Sequence, residues 1–175
     1  LIFMRKKTLL NFLLGTSLIA GTLGFNSCKE HETDSKTKIT EDPEFAKIDS
    51  MNNYAYNLRY KDQAKALDIL DSIEKRANKI NYEKGYSGAL IRKGDINKEK
   101  GNYKLAEIDF KKFLEIKKTL NDSLGIADGG YYLGTIFANQ GKYKDAVNNY
   151  VNALKIYEKF SDSLFISKTY NALGI

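Results

Sequence analysis

Tryptophan is absent from this chain, and proline, cysteine and histidine occur once each. Each shortage closes a class of answer. A single cysteine, Cys28, forms no internal disulfide, so the fold has no covalent staple. A single histidine, His31, leaves no histidine pair for general acid–base catalysis. Cys28 and His31 have a spacing seen at metal sites, but the two further ligands that a closed site needs are not supplied. Neither sign of charge dominates: 28 basic and 22 acidic side chains give +6 over 175 residues. No glycine-rich phosphate loop, HExxH motif or nucleophile elbow is present. Carboxylates such as Glu107 and Asp109 lie two apart on a helix, point different ways and read as a solvated face. The expectation is a non-catalytic chain with no cofactor, no metal and no nucleic-acid partner.

What the chain does have is a duplication. Residues 85–124 and 125–164 match at twelve of forty positions, among them Gly94/Gly134, Gly101/Gly141, Tyr103/Tyr143, Ala106/Ala146, Leu114/Leu154 and Asp122/Asp162. Unrelated segments of ordinary composition would share roughly two or three. A period of this size marks a stack of supersecondary units, none of which buries its apolar face alone.

Within the second unit, Tyr143, Ala146, Val147, Tyr150, Val151, Leu154, Tyr157 and Phe160 recur at three- and four-residue steps and predict one helical stripe. Upstream, Leu124 to Gln140 carries Ile126, Leu133, Ile136 and Phe137 at helical spacing, and Gly141 separates the two runs. Each unit is therefore a hairpin of helix A, a glycine turn and helix B. Gly94 and Gly134 lie inside helix A, where glycine costs about 1 kcal/mol against alanine. Close approach of a neighbouring helix is the expected reason, with Ala106 and Ala146 at the crossing. Asp122-Ser123 and Asp162-Ser163 supply acceptors for the next helix start.

These residues resemble the tetratricopeptide repeat, which has an apolar residue and glycine in helix A, a glycine turn, an aromatic, a small alanine and a second aromatic. Leu133-Gly134, Gly141, Tyr143, Ala146 and Tyr150 fit in order, as do Gly94, Gly101, Tyr103, Ala106 and Phe110. The period of forty departs from the usual 34 and is similar to the longer-helix variety; Leu90 and Gly130 stand where that family has a large aromatic. The resemblance implies an all-α, right-handed superhelical solenoid of antiparallel helix-turn-helix repeats over 43–175. The repeats run 45–84, 85–124 and 125–164, with a partial one at 165–175. Residues 45–84 form a degenerate first repeat, with Asp42 as N-cap, Pro43 at the first helical position, and Tyr54 in place of the glycine. A fourth helix A begins near Leu164 without a following helix B, so the chain is expected to be a fragment.

The first 27 residues read as a leader. Arg5-Lys6-Lys7 follows Met4, the expected translation start, and a largely apolar run reaches Phe25 before Asn26-Ser27-Cys28. A basic region, an apolar region and a small residue before the cut make a secretory signal. This one resembles the bacterial lipoprotein type, which implies lipidation at Cys28, export, and anchorage to a membrane of the cell envelope. Removal of 1–27 leaves 25 basic and 22 acidic side chains. Residues 28–42 are almost devoid of apolar side chains and read as a flexible tether.

In such a stack a ligand lies on the concave face. By the same resemblance, the residues facing it are Ile91, Asp95 and Lys98 in one unit and Tyr131, Thr135 and Asn139 in the next. The lysine/asparagine clamp of chaperone-binding members is missing from these positions. Tyr131-Tyr132 could form an aromatic platform, although most of the twelve tyrosines lie on apolar stripes and read as packing. Two functions follow: a membrane-tethered scaffold that binds a protein or peptide, or the extracytoplasmic sensory region of a signalling protein whose output domain lies beyond Ile175.

Overall fold

The computed structural model describes residues 42–174. Among the described residues seven helices follow one another: α1 (Pro43–Leu58), α2 (Gln63–Lys79), α3 (Glu83–Glu99), α4 (Tyr103–Thr119), α5 (Ser123–Asn139), α6 (Tyr143–Lys159) and α7 (Ser163–Leu173). They pack in series, with an added contact between α1 and α3. Short turns between packed neighbours make each pair antiparallel, and the result is the all-α solenoid expected from the duplication. Helices begin at 43, 63, 83, 103, 123, 143 and 163, so each hairpin starts two residues ahead of the frames drawn above. The signal at 1–27, lipidation at Cys28, the tether as far as 41, and Ile175 lie outside the described residues. Among the described residues no helix is long and apolar enough to cross a membrane.

Five of the six turns share one design. Asn81, Gly101, Asn121, Gly141 and Ser161 each take a left-handed backbone, with φ between 54° and 75°. The amide that follows then reaches the carbonyl five residues back, as from Tyr82 to Ala77 (2.8 Å), Asp122 to Lys117 (2.9 Å) and Asp162 to Tyr157 (3.0 Å). This pattern closes a helix and reverses the chain, and it suits glycine and asparagine. Asp42, Asp62, Asp122 and Asp162 cap the next helix, accepting from backbone amides at 2.9–3.1 Å. Aspartate does this work; Ser123 and Ser163 are already the first helical residues.

The first turn differs. Arg59 to Asp62 is one residue longer than Lys100 to Asn102 because α1 ends one residue earlier, while α1 and α2 start twenty residues apart just as α3 and α4 do. Tyr54, expected at the glycine position of the first repeat, is 55% exposed, and its neighbour Ala55 is fully buried. The apolar stripe of α6 is also narrower than expected. Ala146, Tyr150, Ala153 and Tyr157 are buried, whereas Tyr143, Val147 and Phe160 are exposed. Val147 follows Ala146 by one residue, about 100° round the helix, and Phe160 lies at its end.

The two interior glycines have the predicted reason, with an aromatic ring as the neighbour. A Cβ on Gly94 would lie 2.4 Å from Cε1 of Phe110, and one on Gly134 2.8 Å from Cε1 of Tyr150. Gly130 is different. A Cβ there would meet only Asn149 O at 3.7 Å and the Ala153 Cβ at 3.8 Å, in a shallow groove of about 150 Å³ between α4 and α6.

A polar cluster joins α2, α3 and α4. Lys93 Nζ lies 2.7 Å from Asp71, 2.6 Å from Glu74 and 3.7 Å from Asp109, and Lys112 reaches Glu74 at 3.2 Å. Asn97 donates to Asp109 at 3.2 Å. Asp109 is thus buried, not part of a solvated face. Burial favours the neutral form of Glu74, but hydrogen bonds from Lys93 and Lys112 outweigh it and hold its pKa below the ordinary value. Burial pushes Asp109 up in spite of Lys93 and Asn97. Burial also works against the Lys93 ammonium, and the bonds to Asp71 and Glu74 overcome it. A carboxyl with a depressed folded pKa stabilises above its unfolded value, and that contribution is lost as pH falls through the folded one. The Glu74 contribution is therefore present at neutral pH and fades in acid; that of Asp109 has the opposite sign.

Two predictions follow from this packing. Gly94→Ala gains helix propensity of about 1 kcal/mol but forces a buried ring to move, and is expected to destabilise by about 1–2 kcal/mol net. Gly130→Ala gains the same propensity without a clash and is expected to stabilise by about 0.5–1 kcal/mol; urea midpoints measure both. Lys93→Leu leaves three carboxylates crowded and is expected to cost about 3 kcal/mol at pH 7. The deficit should narrow as pH is lowered and the carboxylates protonate. Adding Glu74→Leu and Asp109→Asn, the residue types found forty positions on at Leu114 and Asn149, should restore most of it.

Candidate functional site

The odd-numbered helices α1, α3 and α5 form one face of the hairpin stack. A cleft of about 410 Å³ lies on it, lined by Asp49, Asn52 and Asn53 of α1, by Lys84, Ser87, Gly88, Ile91 and Arg92 of α3, and by Leu124, Gly125 and Asp128 of α5. Phe113 and Lys117 of α4, with the α5 cap Asp122, complete the lining. The cleft runs from the middle of α1 across the first ten residues of α3 to the start of α5.

The six groove positions expected from the sequence fall in two places. Ile91 lines the cleft. Asp95 and Lys98 pair with each other at 2.8 Å, one turn further along α3. Tyr131 lies close enough to feel both: burial pushes its hydroxyl pKa up, Tyr150 and Asp95 add to this, and Lys98 opposes it. Its ring packs at 5.6–5.9 Å from those of Tyr132, Tyr150 and Phe165. The Thr135 hydroxyl donates to Tyr131 O at 3.1 Å and accepts from the Tyr150 hydroxyl at 3.2 Å. Asn139 is exposed and donates to Thr135 O at 2.8 Å. Asp95, Lys98 and Tyr131 are thus brought together, Thr135 bridges Tyr131 to Tyr150 of α6, and Asn139 bonds back to its own helix.

Arg92 and Asn52, one turn earlier and not among the expected positions, carry unpartnered atoms, as Arg59 Nε and Gln140 Oε1 do elsewhere. Arg92 donates to Gly88 O at 3.2 Å and to Asn53 Oδ1 at 2.8 Å, while its Nε has no partner. Burial pushes its guanidinium pKa down, with Tyr56, Asp49 and Asp95 acting against that through space. Asn52, 3% exposed, donates to Gly85 O at 3.0 Å, and its Oδ1 has no partner. Asp128 accepts from the Tyr157 hydroxyl at 2.8 Å, and burial pushes its pKa up. A signal was available: Asn52, Arg92 and Tyr132 are spaced by forty, and such a register marks one structural position.

Below the cleft, Arg59 is 8% exposed. Its guanidinium lies 3.5 Å from the Tyr56 ring centroid and 3.8 Å from that of Tyr60, and bonds to Tyr56 O and the Tyr60 hydroxyl. This stack is packing at the long first turn. Among the described residues no group of acidic, histidine or cysteine side chains could hold a metal ion. The arrangement offers hydrogen bonds, charge and shape to a ligand; no pairing of a nucleophile with a base is assembled in it.

No protein-family model matches the chain, and no curated protein matches it. Among solved structures the chain is similar to the apo form of RapI, a tetratricopeptide-like helical-repeat protein, with 25% identity and a TM-score of 0.59 over 76% of its own length. It spans 37% of that chain. The likeness and the seven serial helices together show a tetratricopeptide-like solenoid.

Proposed function

We propose that this chain is a non-catalytic scaffold that binds a protein or peptide on the face made by α1, α3 and α5, while a lipid on Cys28 holds it at an envelope membrane after export. The observation that carries the binding role is the cleft itself: a concavity across three helices, lined by polar groups whose hydrogen-bonding capacity is not used within the fold. Extended segments suit such a cleft, since their backbone offers donors and acceptors and their side chains supply a few anchors. The helical-repeat likeness to RapI supports a protein-interaction role. Support for export comes from Arg5-Lys6-Lys7, the apolar run and Cys28.

The binding role is tested with a library of random twelve-residue peptides anchored at their N-termini and probed with the purified chain. Specific peptides should be retained, and Gly88→Leu, which fills the cleft beside Arg92 and Asn52, should weaken them at least tenfold. A library that retains nothing above background, or peptides indifferent to Gly88→Leu, would refute it. For the anchor, cells grown with radiolabelled palmitate should label the wild-type chain and not Cys28→Ser; equal labelling of the two, or none, sinks the anchor.

A further inference from the structure

We propose that the turns ending α1, α3 and α5 form a docking edge for an anionic phospholipid surface, held by exposed lysines with tyrosine and leucine side chains between them. This goes beyond the acyl anchor proposed above and stands without it.

The three turns lie on one edge of the stack. Arg59 of the first reaches Glu99 beside the second at 3.8 Å, and Gln140 of the third donates to Glu107 of α4 at 3.2 Å. Residues 57–66, 97–106 and 137–146 carry eight basic and three acidic side chains; at the opposite edge, 77–86, 117–126 and 157–166 carry five and four. On the first edge Lys61, Lys65, Lys100, Lys104, Lys142 and Lys144 are all exposed. Among the described residues none of the six forms an ion pair, whereas Glu99 faces Arg59 and Asp62 caps α2.

The placement of these lysines breaks a local rule. Lys104 and Lys144 lie in the first turns of α4 and α6, and Lys142 is the N-cap of α6. The helix dipole favours anions at such positions and opposes cations. At the opposite edge α5 and α7 follow the rule, with the caps Asp122 and Asp162. Neither α4 nor α6 has a side-chain cap, so the amides at their starts add to the positive potential of the lysines. A choice that weakens the free fold at two equivalent positions points to an anion outside it.

The side chains between the lysines favour lipid over nucleic acid. Tyr60, Tyr143 and Leu105 are 76%, 70% and 52% exposed. Tyrosine settles at headgroup level, with its ring toward the acyl chains and its hydroxyl in water, and Leu105 gains nothing against a row of nucleic-acid phosphates. The free cations are lysines, point charges that suit mobile headgroups; Arg59, whose planar fork fits a fixed phosphate, is buried and already bonded. Between the second and third turns a recess of about 610 Å³, lined by Tyr103, Lys104, Leu105, Glu107, Gln140 and Lys142, gives a headgroup room to enter. Exposed apolar side chains alone do not select this edge, since Leu120, Phe160 and Leu164 are exposed on the opposite one. Charge selects it.

The test places a single reporter on the chain. In the full chain with Cys28→Ser, an environment-sensitive fluorophore is attached at Asn102→Cys on this edge or at Ser163→Cys on the opposite one, both exposed. Each is titrated with vesicles of phosphatidylcholine alone and of phosphatidylcholine with phosphatidylglycerol in equal parts. Emission at position 102 should shift to the blue with the anionic vesicles only, and less so at high salt; position 163 should not respond. Lys100→Gln, Lys104→Gln, Lys142→Gln and Lys144→Gln together should raise the lipid needed for half the signal at least about tenfold. The same change at Lys75, Lys79, Lys155 and Lys159, exposed toward the C-terminal ends of α2 and α6, should raise it less than about threefold. The leader is the same in every chain compared. A response at position 163 in place of 102, equal responses to the two vesicles, or equal losses from the two lysine sets overturns the inference. So does a blue shift at position 102 with duplex DNA and none with vesicles. The edge variant should melt no lower than the wild type, because it removes cations from helix starts, and the comparison of the two labels needs no lysine variant.

Discussion

The solenoid depends on a bare patch of helix A into which a ring from helix B fits. Gly94 admits Phe110 and Gly134 admits Tyr150, and no side chain larger than hydrogen leaves room for either. The contact does more than join two helices of one hairpin. Phe110 stacks on Tyr132 of the next helix A at 5.0 Å, and Tyr150 lies 5.6 Å from Tyr131, whose ring meets Phe165 of α7 at 5.7 Å. Each ring seated on a glycine therefore becomes part of the platform on which the following hairpin rests. Aromatic pairs at these separations contribute beyond the area they bury, and here they set the spacing from unit to unit.

With that spacing set, the interior between hairpins can be filled in more than one way. Between the first and second, an apolar cluster that includes Leu70, Ile73, Ala77, Ala89 and Ile96 is flanked by an ionic one, with Lys93 among Asp71, Glu74 and Asp109. Forty residues on, the matching positions are Leu133, Lys111, Leu114 and Asn149, and the buried cluster there comprises Ala106, Phe110, Leu133 and Ile136. An ion cluster removed from water stabilises little more than well-packed apolar residues of equal volume, yet it tolerates the loss of one partner poorly. The first interface is thus sensitive to pH and to single substitutions in ways that the second is not.

The fold was legible because its main constraints are local and repeated. A glycine turn, an aspartate cap and a duplicated stripe are each visible in a short window, and their recurrence at forty made the hairpin plain. What escaped were features that depend on phase or on partners. Tyr54 is exposed and its neighbour Ala55 buried, and no pattern in α1 alone shows which of the two turns inward. The stripe of α6 was drawn too wide because hydrophobic spacing marks what could be buried, while the neighbours decide what is. Asp109 looked solvated because the lysine that holds it, Lys93, is sixteen residues away in sequence and one helix away in space. Arg92 and Asn52 were not among the expected groove positions for the same reason: their atoms stand out through what they fail to reach, which only coordinates show.

Among the described residues, unpartnered buried polar atoms lie at the cleft, on Asn52 and Arg92, and also on Arg59 and Gln140. The even-numbered helices spend their polar side chains outward in water or in pairs such as Lys111 with Glu107 at 2.7 Å. Asp95, Lys98, Thr135 and Asn139, on the odd face itself, also find partners within their own helix. At the cleft the fold leaves a donor on Arg92 and an acceptor on Asn52 without partners, beside a glycine that keeps the approach open. Unpaired buried groups lower the stability of the free protein, and nothing in the packing of α1 on α3 requires them, since Asn52 already bonds to Gly85 and Arg92 to Gly88 and Asn53. In the proposed binding role, a ligand that entered the cleft and supplied the missing partners would offset that cost.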